Sequence, residues 1–135
     1  TNNKVTINLW GSGNPEREFL YSDDMADACI YIMENINFKD IISNQSQGSG
    51  SPKYNETKNT HINIGTGKDI SIKELADLVA KTVKFQGEIK WDTNKPDGTP
   101  KKLLDVSKLK KLGWEEKITL KEGIKSVYNN YTSAN

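Results

Sequence analysis

The sequence predicts a mixed α/β domain of short strands with three or four helices. Val5, Ile7 and Leu9 alternate with Thr6 and Asn8, the period of a strand with one face covered. Two capping boxes, Ser71–Glu74 and Thr119–Glu122, each open a run of apolar residues at helical spacing. Clusters of Gly and Pro punctuate the segments between them.

At 135 residues the chain suits one domain able to bury a core. Gly11 to Glu16 is turn chemistry, and Phe19 to Tyr21 reads as a second extended piece. Ser22, Asp23 and Asp24 offer an N-cap and negative charge to a helix ending near Asn35. Met25, Cys29, Ile32 and Met33 form its apolar face. Residues 44–60, NQSQGSGSPKYNETKNT, cannot bury enough apolar surface to offset ordering, and read as a mobile surface loop. His61 to Ile64 reads as a strand stopped by Gly65 and Gly67. The first capping box then starts a helix with Ile72, Leu75, Ala76, Val79 and Val83 on one face. Ile70 staples onto Leu75, and Gly87 closes that helix. Glu88 to Trp91 is another strand, and Asn94 to Pro100 a rigid loop. Ser107 to Leu112 is a short helix closed by Gly113. The last helix, from the second box, turns Leu120, Ile124, Val127 and Tyr131 inward.

Composition narrows the function. With 19 basic and 18 acidic residues the net charge is +1, which gives no electrostatic ground for a nucleic-acid or anionic-membrane partner. No apolar run approaches the roughly 18–20 residues of a membrane span. Cys29 is alone, so no intrachain disulfide forms and a reducing compartment is expected. A single His and a single Cys leave no His/Cys metal site. The chain lacks an initiator Met and signal-peptide features, and is expected to begin inside a larger gene product.

Neither Gly11-Ser12-Gly13 nor Gly65-Thr66-Gly67 completes a dinucleotide-binding G-x-G-x-x-G, so both are read as turns. Tyr54 and Lys58 show a Y-x-x-x-K spacing, but inside the polar stretch, with no periodicity to hold a helix. No catalytic role is assigned to them. The positive signal is a pair of basic, turn-rich segments, WGSGNPEREF and KPDGTPKKLLD. A guanidinium at Arg17 can fork phosphate oxygens, and ammonium groups at Lys101 and Lys102 can neutralise them. Trp10 offers a flat face for a base, and Asp97 can accept bonds from ribose hydroxyls. Each has a plainer reading too: Trp10 as core, Arg17 paired with Glu16 or Asp23, the lysines merely solvated.

WGSGNPEREFLYSDDMADA resembles the W-G-[ST]-G-x-P-x-R-E-F stretch of GDP-L-fucose synthases, members of the extended short-chain dehydrogenases. HINIGTG and DISIKELA resemble the strand and helix that follow in that family. KPDGTPKKLLDVSKL, followed by LGW, resembles its narrower C-terminal signature. The likeness spans nearly the whole chain and keeps its order, although Ser22 stands where Val is common.

The resemblance implies that residues 1–135 are the C-terminal sugar-nucleotide-binding domain of an NADP-dependent reductase and epimerase. NADP(H) would be held by an N-terminal Rossmann domain absent from this chain. The family epimerises a GDP-4-keto-6-deoxy-mannose at C3 and C5 and reduces its C4 ketone, giving GDP-L-fucose. By the same resemblance Trp10 lies at the guanine, Arg17 and Lys102 at the diphosphate, and Asp97 at the ribose. It implies no catalytic, cofactor-binding or metal-binding residue here, an inactive isolated segment, and structural roles for Cys29 and His61. A cytoplasmic homodimer is the expected full-length state. Two other readings stand beside it: the substrate domain of another nucleotide-sugar epimerase, dehydratase or reductase, for instance on a GDP-heptose, and a stand-alone nucleotide-binding or interaction module.

Overall fold

Residues 4–42 and 59–134 are described by a computed structural model. The predicted alternation forms strand β1 (Thr6–Trp10), which pairs in parallel with β4 (Glu88–Asp92) from Thr6 opposite Glu88 to Trp10 opposite Asp92. A second sheet has β2 (Glu16–Glu18) at its centre, antiparallel to β3 (Asp69–Ser71) and parallel to β5 (Lys101–Lys102). The helices are α1 (Ser22–Asn35), α2 (Phe38–Ile42), α3 (Ile72–Thr82), α4 (Ser107–Lys111) and α5 (Leu120–Ser133). The mixed α/β class is as predicted, with one more helix than expected. The extra one, α2, starts where the Asn37 N–H donates to the Asp40 carboxylate at 2.8 Å, and five residues are too few to show a period. Most of the 44–60 stretch, with Tyr54 and Lys58, lies outside the described residues.

Both capping boxes form. Ser71 Oγ accepts from the Glu74 N–H while the Glu74 carboxylate accepts from the Ser71 N–H, each at 3.1 Å. Thr119 and Glu122 repeat the exchange at the head of α5. The end of α3 comes earlier than Gly87. Lys84 takes a left-handed φ of 54°, and the N–H groups of Lys84 and Phe85 close onto the Lys81 and Ala80 carbonyls. The same pair of bonds, from Gly113 to Lys110 and Trp114 to Leu109, ends α4 as predicted.

Two strands differ from the sequence reading. The extended piece falls at Glu16–Glu18, three residues before Phe19. His61 to Ile64 forms no ladder. The His61 carbonyl accepts from Lys108 Nζ at 3.1 Å, and the Asn63 side chain donates to the Asp105 carbonyl at 3.0 Å. Ile62 and Ile64 still pack inward, since alternation reports burial and a strand also needs a partner.

Of the apolar face predicted for α1, only Ile32 packs against the core. Ala28 is fully buried against Leu109 and Trp114, with Leu20, Tyr31 and Ile32 around them, while Met33 is 85% exposed and Cys29 is exposed. Polar anchors choose this face. Asp24, 2% exposed, accepts the N–H groups of Lys117 (3.0 Å) and Ile118 (2.9 Å). The Trp114 indole N–H donates to Asp27 at 2.8 Å, and the Tyr31 hydroxyl donates to the Leu112 carbonyl at 2.9 Å. Tyr21 rather than Ser22 occupies the N-cap, without a side-chain bond. The apolar faces of α3 and α5 lie beside each other. Val127 and Tyr131 nevertheless stay exposed along an apolar trough of about 490 Å³ that also touches Phe19 and Val79.

Substituting Asp24→Ala should strand two part-buried N–H groups and cost about 2 kcal/mol of stability. Urea unfolding of the full-length protein checks this. A loss under about 0.5 kcal/mol would show that the anchor carries little.

Candidate functional site

Pleating sorts the basic residues of β2 and β5 onto opposite faces. Glu16 stands opposite Lys101, and Arg17 opposite Lys102. Paired residues share a face and their neighbours take the other. On the first face Lys101 Nζ contacts Glu16 at 2.7 Å and Asp69 at 2.6 Å. Hydrogen bonding to Asp69, then to Glu16, raises the Lys101 pKa, and the bond from Lys101 lowers that of Asp69. Lys101 is therefore committed to holding strands together. Lys102 shares the second face with Arg17 on strands about 4.8 Å apart. Neither has an acidic partner among the described residues.

Arg17 is aimed by its surroundings. Its Nη1 donates to the Glu16 carbonyl at 2.6 Å, so the expected pairing with the Glu16 or Asp23 carboxylate does not form. Nη2 lies against Gly98, where any Cβ would stand only 3.2 Å away. The guanidinium opens on a cleft of about 140 Å³. Trp10, Gly13 and Arg17 wall one side, and Pro96, Asp97 and Gly98 the other. Trp10 is 73% exposed, which removes the core reading. Lys95 Nζ sits 5.4 Å from its ring centroid, a cation–π contact that the sequence did not single out.

Two glycines make the loop possible. Gly11 and Gly13 have φ of 80° and 79°. A Cβ on Gly13 would run into the Trp91 indole at 2.7 Å, and one on Gly11 into the Asp97 carboxylate. Asp97 lines the cleft, but both its oxygens are engaged. Oδ1 accepts from the Ser12 N–H at 2.7 Å and Oδ2 from the Ser12 hydroxyl at 2.6 Å.

Glu18 is the main residue missed. Its Oε1 accepts from the N–H groups of Thr66 (2.5 Å) and Gly67 (2.6 Å), and its Oε2 from the Leu104 N–H (3.0 Å). Its only sequence signal was a carboxylate between Arg17 and Phe19, which names no partner. Each glycine turn thus directs backbone N–H at a carboxylate, Ser12 at Asp97 and Thr66-Gly67 at Glu18. A larger hollow of about 470 Å³ opens beside Phe19, Lys68 and Glu116. Its Lys68 is already paired with Glu116 at 2.6 Å. The small cleft sets the Arg17 guanidinium beside an exposed indole and suits an anion and a base better, although Lys102, on the strand next to Arg17, does not line it.

Known proteins resemble this chain over most of its length. A family model described as GDP-mannose 4,6 dehydratase matches residues 1–127. The GDP-L-fucose synthase of Escherichia coli (strain K12) is 44% identical over 126 residues, covering 93% of this chain and 36% of that protein. A GDP-6-OMe-4-keto-L-xylo-heptose reductase from C. jejuni has a solved structure at 48% identity and a TM-score of 0.83, covering 96% of this chain and 34% of that one. MlghC, a GDP-mannoheptose C4 reductase from Campylobacter jejuni with NADP bound, shows 46% identity and a TM-score of 0.76 over 94% of this chain and 35% of its own. The chain spans about a third of the length of these relatives. They bear out the likeness to GDP-L-fucose synthases carried by WGSGNPEREF and KPDGTPKKLLD. With nearly its whole length matched by that family model, the chain belongs to the GDP-mannose 4,6-dehydratase family.

Proposed function

We propose that this chain forms the nucleotide-binding side of an NADP(H)-dependent GDP-sugar reductase or epimerase. Arg17 and Lys102 hold the diphosphate, and the exposed face of Trp10 takes the guanine. The observation that carries the reading is the pairing of Arg17 with Lys102 on adjacent strands, with no acidic partner for either among the described residues. Like charges set opposite each other cost stability, and a bound dianion converts that cost into affinity.

NADP(H), when bound elsewhere in the full-length protein, supplies the hydride. The residues of this chain do no chemistry on the sugar. They anchor the remote nucleotide, so that binding energy fixes the sugar against catalytic groups outside the chain. The segment alone is inactive on this reading. The product is GDP-L-fucose, made from a GDP-4-keto-6-deoxy-mannose. A second reading, reduction of a GDP-heptose, draws support from the Campylobacter reductases at 46–48% identity. Product analysis after incubation with each GDP-4-keto sugar and NADPH separates the two.

In the full-length protein, Arg17→Ala and Lys102→Ala should each weaken GDP binding about 10- to 150-fold, the worth of a charge-assisted contact of about 1.5–3 kcal/mol. Lys101→Ala should stay within about twofold, because its ammonium lies on the other face. Isothermal titration calorimetry reads all three. A wild-type dissociation constant for Arg17→Ala overturns the reading.

Trp10→Ala should cost a further 1–3 kcal/mol or so in GDP affinity, the usual worth of base–aromatic stacking. Inorganic pyrophosphate should bind that variant as it binds the unaltered protein. Equal losses for pyrophosphate and GDP would place Trp10 away from the base.

A further inference from the structure

We infer that Asp97 and Ser12 form a latch that fixes the spacing of the cleft, which makes both of them positioning residues for the nucleotide. The inference rests on the nucleotide-site reading and assigns Asp97 a role different from ribose binding.

The latch sits between two ladders. One ends where Trp10 faces Asp92, and the other begins where Glu16 faces Lys101. Between those pairs, residues 11–15 and 93–100 run side by side as loops. At their outer ends they are tied by backbone bonds, Gly11 N–H to the Asp92 carbonyl at 2.9 Å and Glu16 N–H to the Pro100 carbonyl at 2.7 Å. Midway, Ser12–Asp97 is the side-chain hydrogen-bonded link between them among the described residues. The Ser12 hydroxyl is fixed from both sides, donating to Asp97 and accepting from the Asn14 N–H at 3.1 Å. Gly11 leaves room for the carboxylate to come this close.

What the latch separates is the binding kit. Trp10 is two residues before Ser12, and Gly98, against which the Arg17 guanidinium lies, directly follows Asp97. Opening the latch frees Gly98 to move off Arg17 and lets the Trp10 turn swing. A carboxylate is a poor neighbour for phosphate unless donors hold it. Here a hydroxyl and an N–H do so, and they lower the Asp97 pKa, the hydroxyl contributing most. With the folded value below the unfolded one, the latch is complete above the ordinary carboxyl range near 3.9 and is lost as pH falls through the depressed value.

The test uses the full-length protein with GDP and 2′,3′-dideoxy-GDP. Ser12→Ala and Asp97→Ala should each weaken both ligands by the same factor, roughly 5- to 20-fold, as one or two net hydrogen bonds would. The double variant should be no weaker than the worse single one, and Ser12→Thr should bind as the unaltered protein does. A loss on Asp97→Ala that appears with GDP and vanishes with the dideoxy compound makes Asp97 a ribose ligand and overturns the latch. Additive losses overturn it too. A ligand-free readout keeps the two readings apart: Asp97→Ala should speed amide exchange at Ser12 and Asn14, and unchanged exchange there refutes the latch. Unaltered protein that binds no GDP refutes the nucleotide site and leaves the exchange result to decide the latch. The Ser12 amide shift should titrate with a midpoint below about 3.9, and a midpoint above that value also counts against the latch.

Discussion

Glu18 holds three backbone N–H groups at once, and the register of the site depends on it. Two come from Thr66 and Gly67, just before β3, and one from Leu104, just after β5. The flanking strands are three and two residues long, too short for ladder bonds alone to fix them. A carboxylate accepting several N–H bonds supplies charge-assisted strength where the ladder is short. It also acts on both neighbours of β2 together, so the sheet gains or loses its order as a unit.

Register matters because β5 carries two adjacent lysines with opposite duties. A slip of one residue turns every side chain to the other face. A slip one way would place Lys101 beside Arg17, and a slip the other way would place Lys102 beside Glu16. Glu18 opposes the slip by holding the Leu104 N–H, and the exposed ion pairs of Lys101 with Glu16 and Asp69 add a smaller contact on one face. The pleat thereby separates the paired Lys101 on one face from Lys102, proposed for the nucleotide site, on the other. The two lysines look alike in sequence, and only the pleat distinguishes them.

The legible parts were those written in local pattern. Both capping boxes, β1, β4 and the Gly/Pro loops depend on residues within a few positions of each other, and each appears where its pattern stands. The inward face of α1 was not legible. Met25, Cys29 and Met33 make a good stripe, yet Asp24 and Asp27 turn the helix by bonding groups about 90 residues away. Glu18 and Asp97 escaped for the same reason, their donors lying 48 and 85 residues off. Periodicity scores apolar residues, and here buried or part-buried carboxylates decide the packing. For the site, the residue types were readable, as was their presence on two loops. Which lysine faces Arg17, and that Asp97 is already engaged, required the sheet.

Val79 shows how far such patterns reach. It borders both the trough shared with α5 and a second one of about 320 Å³ beside Ile7 and Leu9 of β1. Its helix spacing marks it for burial, and it is nevertheless exposed. A sequence stripe states that a face is worth covering, because apolar area left in water costs about 25 cal/mol per Å². It does not state what covers it. The cleft behaves differently, since its walls are joined by hydrogen bonds within the described residues. The cleft therefore keeps its shape through this chain's own contacts, whereas Ile7, Val79, Val127 and Tyr131 on β1, α3 and α5 leave apolar area in water.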